Sequence, residues 1–196
     1  MKRENDMELF DIVDELGNPT GETVDRTKAH VEGIRHRTSH VWIIREKDGR
    51  TQALLQKRSQ NKDSFPGRFD TSSAGHIQAG DEPLQSAIRE LGEELGIVAE
   101  KDDLEFAGRF TIDFEKEFHG KLFKDSEIAF VYVYTNPVDE TKLVLQEEEV
   151  EAVEWFDIEE IMEECSRHNQ KFCVPREGLK KAYDYYCGND VEWIKM

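Results

Sequence analysis

Arg89, Glu90, Glu93 and Glu94 put a guanidinium and three carboxylates within six consecutive residues. On a helix, side chains three and four apart are neighbours, so the three glutamates would share one face. Like charges packed that closely repel, a cost with no structural return unless a cation sits among them. Hard divalent ions such as Mg²⁺ or Mn²⁺ take oxygen ligands of this kind. The competing reading is a solvated acidic helix face in an acidic chain. Arg89 stands four residues before Glu93 and can brace it. Upstream, Gly75 and Gly80 interrupt regular structure, which would let backbone approach an ion closely.

The elements that must position these residues can be read around them. Leu84, Ala87, Ile88, Leu91 and Leu95 recur at three- and four-residue steps, the stripe of an amphipathic helix. Before it, residues 8–13 alternate weakly and meet a turn at Leu16-Gly17-Asn18-Pro19, so a hairpin is expected up to about Asp25. His30, His36 and His40 punctuate an expected loop ahead of a strand over 40–44. Lys47-Asp48-Gly49 turns that strand back into a partner over 53–57, and residues 58–68 form a cationic loop around Pro66-Gly67. After the helix, strands are expected over 104–114 and 127–135, joined by a charged loop over 115–124. A further strand covers 150–156. Asp157 is then expected to cap a helix in a box with Glu160, and Pro175 to open a last one. Strands mixed with helices on both sides indicate an α/β chain.

The 196 residues carry 43 Asp plus Glu against 26 Lys plus Arg, a net charge of −17. That balance argues against a nucleic-acid polymer as partner. No apolar run approaches the roughly 20 residues of a membrane span, and residues 1–10 lack the apolar centre of a signal peptide. Cys165, Cys173 and Cys187 form no CxxC pair and read as free thiols of a cytoplasmic protein. Trp42, Trp155 and Trp193 read as core, and His40 and His168 as ordinary surface or core histidines. The oligomeric state stays open between monomer and homodimer.

The stretch from Gly75 to Ile97 resembles the Nudix box, G-x5-E-x7-R-E-U-x-E-E-x-G-U with U aliphatic. Gly75, Arg89, Glu90, Leu91, Glu93, Glu94, Gly96 and Ile97 are in register, and Asp81 stands where the family has its first Glu. The resemblance implies a Nudix-type α/β/α sandwich with a mixed β-sheet, spanning 1–196 as one domain with an N-terminal hairpin and a C-terminal helical extension. It also implies a metal-dependent hydrolase of a nucleoside diphosphate linked to another moiety, or of a related organic diphosphate. Mg²⁺ or Mn²⁺ would be held by Glu90, Glu93, Glu94 and the backbone carbonyl of Ala74, with Glu127 a further ligand. Glu93, Glu90 and Arg89 would carry the catalysis. The general base stays open among Glu90, Glu93, Glu127 and the glutamates at 147–149.

Outside the box, HRTSHVWI, LLQKRSQNKDSFPGRFD and SAGHI resemble the branch closest to type I isopentenyl diphosphate isomerase. On that resemblance His30, His36, His76, Asp125 and Glu127 fall on the positions of a second divalent-metal site, with Asp125 in place of a Glu. Arg58 and Lys62 fall on its diphosphate-binding cations. The catalytic Cys of that enzyme is Ala74 here, which turns the expectation from isomerase towards hydrolase. An isomerase of prenyl diphosphates and a non-catalytic nucleotide-sensing domain are the two competing functions.

Overall fold

A computed structural model describes residues 8–189. The chain opens with a hairpin, β1 (Leu9–Val13) and β2 (Pro19–Asp25), followed by a short helix α1 (Arg26–Glu32). The sheet then takes β3 (His36–Lys47), β4 (Arg50–Arg58), β5 (Phe69–Asp70) and β6 (Ser73–His76) before the box helix α2 (Pro83–Leu95). The long strands β7 (Leu104–Phe118) and β8 (Lys121–Tyr134), then β9 (Val150–Asp157), α3 (Ile158–Ser166) and α4 (Arg176–Tyr186), complete the order.

The main sheet runs β5-β4-β3-β8-β7, with β6 also on β3 and β9 also on β4. β3 and β8 are parallel and the other pairs antiparallel, so the sheet is mixed. Strand alternation gives it two apolar faces. Val41, Ile43 and Leu54 pack under Ala87, Leu91 and Leu95 of α2, while Trp42, Ile44 and Leu55 pack with Ile158, Ile161 and Leu179 of α3 and α4. This is the expected α/β/α sandwich. Phe10, Val24 and Ala29 form a small third cluster that ties the N-terminal hairpin to α1.

α2 ends at Gly96, at φ 70°, whose N–H returns to Gly92 and Leu91. Any Cβ there would also lie 2.9 Å from Val144 Cβ, so glycine is required twice over.

Four local expectations need correction. The segment around His30 is helical, because Asp25 accepts from Lys28 N–H and Gly33 closes the turn at φ 72°. β3 starts at His36 and not at His40, so both histidines are strand residues. The charged segment 115–124 is no loop. Its residues pair across one long hairpin that turns at His119-Gly120. Asp157 precedes α3 without a side-chain cap, since its carboxylate accepts from Arg50 and Gln52 of the neighbouring strand. Trp42 is fully buried as expected, and Trp193 lies outside the described residues.

Candidate metal centre and active-site cleft

α2 presents its carboxylates in three different environments. Glu93 is exposed and takes one bond from Arg89 (3.0 Å), the brace expected from their spacing. The same guanidinium reaches Glu90 (2.8 Å) and donates to the His76 carbonyl (3.3 Å), so it fastens the helix to β6. Glu90 lies against Gly75 so closely that a Cβ there would fall 2.2 Å from its Cδ. Gly75 therefore permits a close approach of the Glu90 side chain to the β6 backbone. Gly80 makes no close approach, because the space around it is open, and its φ of 84° serves a turn instead.

Glu94 departs from the expected solvent face. It is 3% exposed, and its Oε2 accepts from Ser73 Oγ (2.7 Å), Gln56 Nε2 (3.2 Å) and the Ala74 N–H (3.2 Å). Its neighbours along α2 are the buried Leu91 and Leu95, so it lies at the edge of the apolar stripe and turns to the sheet. Burial, with the charge of Glu90, pushes its carboxyl up to about 7, and the nearby Lys62 opposes that rise. Burial also raises Glu90.

The second cluster is assembled from four elements. His30 comes from α1, His36 from β3, His76 from β6, and Asp125 with Glu127 from β8. Ligand-type atoms of His30, His36 and His76 lie within 4.8 Å of one another, and so do those of His36, Asp125 and Glu127. Nε2 of His30 is 3.3 Å from Nε2 of His76, and Glu127 Oε1 is 3.6 Å and 3.5 Å from His36 and His76 Nε2. His36 Nδ1 faces the Ile34 carbonyl at 2.8 Å and must donate to it, which leaves the Nε2 lone pair pointing into the cluster. That Nε2 and Asp125 Oδ1 are buried without a hydrogen-bond partner. Two orphaned buried acceptors facing each other's neighbours is what a divalent cation would satisfy.

The ring planes are fixed by Phe10, stacked on His36 (4.8 Å) and His76 (4.6 Å), while Thr38 Oγ1 donates to Glu127 (3.1 Å). Burial and the charges of His76 and His36 lower His30 to about 3, and burial also lowers His76. These two shifts favour the neutral, ligating form of His30 and His76. Burial and the Glu127 charge push Asp125 up to about 9.

Arg58 and Lys62 stand close enough for their charges to act on Asp125 and Glu94, but they are not open cations. Arg58 donates to Asp70 (3.0 Å) and to the Ser64 carbonyl, and Lys62 is paired with Glu149. Glu147 and Glu148 stay exposed. Asp81 lines a separate groove with Asp11, Arg37 and Arg109, where its carbonyl accepts from Arg37.

Four participants escaped the sequence reading: Phe10, Thr38, Ser73 and Gln56. His40, read as an ordinary surface or core histidine, is a buried one whose Nδ1 has no hydrogen-bond partner. His36, Thr38 and His40 are spaced two apart on one strand face, and that period was the available signal.

The model for the NUDIX domain matches residues 34–175. The chain belongs to the Nudix family of hydrolases. It is 41% identical over 167 residues to Nudix hydrolase 3 of Arabidopsis thaliana, covering 84% of this chain and 21% of that protein, about a fifth of its length. It is 36% identical over 154 residues to an uncharacterized Nudix hydrolase of Clostridium acetobutylicum, covering 79% and 72%. The fold matches DR0079 from Deinococcus radiodurans at a TM-score of 0.68 and 20% identity, over 90% of this chain and 99% of that one. It also matches the NUDIX domain of Shewanella oneidensis NrtR, crystallised with ADP ribose, at 0.55 and 13% identity, over 79% and 88%. No helix among the described residues is long and apolar enough to cross a membrane.

Proposed function

We propose that this chain is a metal-dependent pyrophosphohydrolase acting on a nucleoside diphosphate linked to a further moiety. The observation that carries this reading is Arg89, which holds Glu90 and Glu93 side by side and ties them to the His76 carbonyl. A bound Mg²⁺ or Mn²⁺ would supply Lewis acidity and lower the pKa of a bound water. Gly75 clears the space that Glu90 needs, and Ser73 and Gln56 orient Glu94. Glu93, exposed and held through one oxygen, would take the proton of the attacking water. Water adds to one phosphorus, the bridging P–O bond breaks, and two phosphate monoesters leave.

The histidine cluster would hold a second divalent ion through His30, His36, His76, Asp125 and Glu127, its imidazoles favouring Zn²⁺ or Mn²⁺ over Mg²⁺. Ala74 supports hydrolysis over prenyl diphosphate isomerisation, since it has no ionisable group to protonate an alkene.

The test is a phosphate-release screen with Mg²⁺ and Mn²⁺ over nucleoside diphosphate sugars, dinucleoside polyphosphates and prenyl diphosphates. Glu93→Gln should lower turnover on the best substrate about 10²- to 10³-fold. Full turnover by that variant would refute the assignment.

A further inference from the structure

The outer half of the β7–β8 hairpin carries a face that none of these roles uses. β8 joins β3 only from Glu127 onward, so beyond that point the two strands pair with each other as a projecting arm. Across the arm Phe114 faces Asp125, Lys116 faces Phe123 and Phe118 faces Lys121. Alternation puts these side chains on the side that carries Asp125 and Glu127. Past Asp125, that side is therefore built of Phe114, Lys116, Phe118, Lys121 and Phe123 with no carboxylate. Glu115 and Glu117 fall on the opposite side. In a chain of net charge −17, this is a marked local segregation.

The face is continuous with the histidine cluster, because Phe123 stacks on His30 at 4.3 Å and 19°. Phe65 closes on it from the 59–68 loop, 5.8 Å from Phe114 and 4.9 Å from Phe118 between ring centroids. Phe65 sits at φ 47°, a left-handed conformation uncommon for an aromatic residue. Lys116 Nζ is 4.9 Å and the Arg68 guanidinium 5.4 Å from the centre of its ring. All four phenylalanines remain half-buried.

We infer that this aromatic and cationic face is the subsite for the nucleobase and adjoining phosphate of the substrate, an assignment that rests on the diphosphate hydrolase reading. A flat heteroaromatic ring uses the faces of the phenylalanines, and its phosphate meets Lys116 and Lys121. An apolar chain would use the rings but strip water from the lysine between Phe114 and Phe118 without return. The interleaving of rings and cations fits a nucleotide and not a prenyl group.

Leucine keeps apolar volume but offers no π face, so Phe118→Leu and Phe118→Ala separate the two ligands. Binding of AMP by calorimetry, and KM for the best nucleoside diphosphate substrate, should each weaken about tenfold in both variants, with kcat little changed. Lys116→Gln should weaken AMP more than adenosine. If leucine restores binding that alanine loses, the subsite holds an apolar chain and the inference fails. It also fails if neither substitution moves KM or AMP binding while melting temperatures fall, which marks the rings as packing only. Two further outcomes separate it from the hydrolase reading. AMP binding lost on mutation in a protein that hydrolyses no diphosphate keeps the subsite and sinks the hydrolase. Hydrolysis with unmoved KM does the reverse.

Discussion

The carboxylates of α2 come from one turn and a half of a single helix, whereas the histidine cluster draws its side chains from α1, β3, β6 and β8. The first can form as soon as the helix forms. The second exists only when the sandwich has closed and the N-terminal hairpin has laid Phe10 over two of its rings. They also differ in water. Glu93 is exposed, while His36 is wholly buried and its Nε2 has no partner. A pair of helical neighbours that reaches water at Glu93 suits an ion that arrives with substrate. A dry, globally built cluster suits an ion held as part of the fold, since binding only to the native state adds to stability.

Removing two imidazoles should act on one cluster and spare the other. His36→Ala combined with His76→Ala should abolish retention of Zn²⁺ or Mn²⁺ in protein purified without chelator, and lower the melting temperature. Glu93→Gln should leave metal retention and melting temperature near wild type while turnover collapses. Metal analysis and thermal unfolding of both variants check this. Equal metal content in wild type and the double variant would mean the histidines only hydrogen-bond the cleft loops.

A smaller effect separates the buried Glu94 from the exposed Glu93. Its carboxyl titrates at about 7 in the fold, above its ordinary value, because it is buried. A raised carboxyl contributes stability below its unfolded pKa, and that stability is lost as pH rises through 7. In the metal-free protein Glu94 therefore contributes a loss of up to roughly 3 kcal/mol between about pH 4.5 and 8. The lowered His30 and His76 oppose it below about pH 6.5, so the difference between wild type and a Glu94 variant isolates it. Glu94→Gln should remove that loss, and urea midpoints across this range in EDTA decide it. A pH profile equal to wild type would mean that Glu94 is solvated.

What could be read from the residues divides along the same line. The α2 stripe and the spacing of Arg89, Glu90 and Glu93 were legible because helical neighbours are fixed by sequence distance alone. The burial of Glu94 was not, since it depends on Ser73 and Gln56 arriving from two other strands. The arm over 115–124 looked like a loop because its charges obscured a period of two, Phe114-Lys116-Phe118 against Glu115-Glu117. The family resemblance named the histidines and Asp125, but only the register of β3 with β8, His36 opposite Glu127, brings them to one place. α1 was missed because it buries only Ala29 and His30, too little for an apolar stripe.

That short helix carries His30 and offers a mild way to disturb the histidine cluster from outside it. α1 is too short to stand by itself, and its start depends on the Asp25 side chain accepting from Lys28 N–H at 3.0 Å. Asp25→Ala removes that cap, at a cost of about 1 kcal/mol. The substitution touches neither cluster, yet His30 rides on the helix it destabilises. If the histidine cluster is a product of global assembly, Asp25→Ala should speed release of Zn²⁺ to a chelator by several-fold. Mg²⁺-dependent turnover through the α2 carboxylates should change far less. Chelator-monitored release and steady-state turnover on one preparation measure both arms. Release and turnover shifting together would show that the two clusters are coupled through β6, where Arg89 holds the His76 carbonyl.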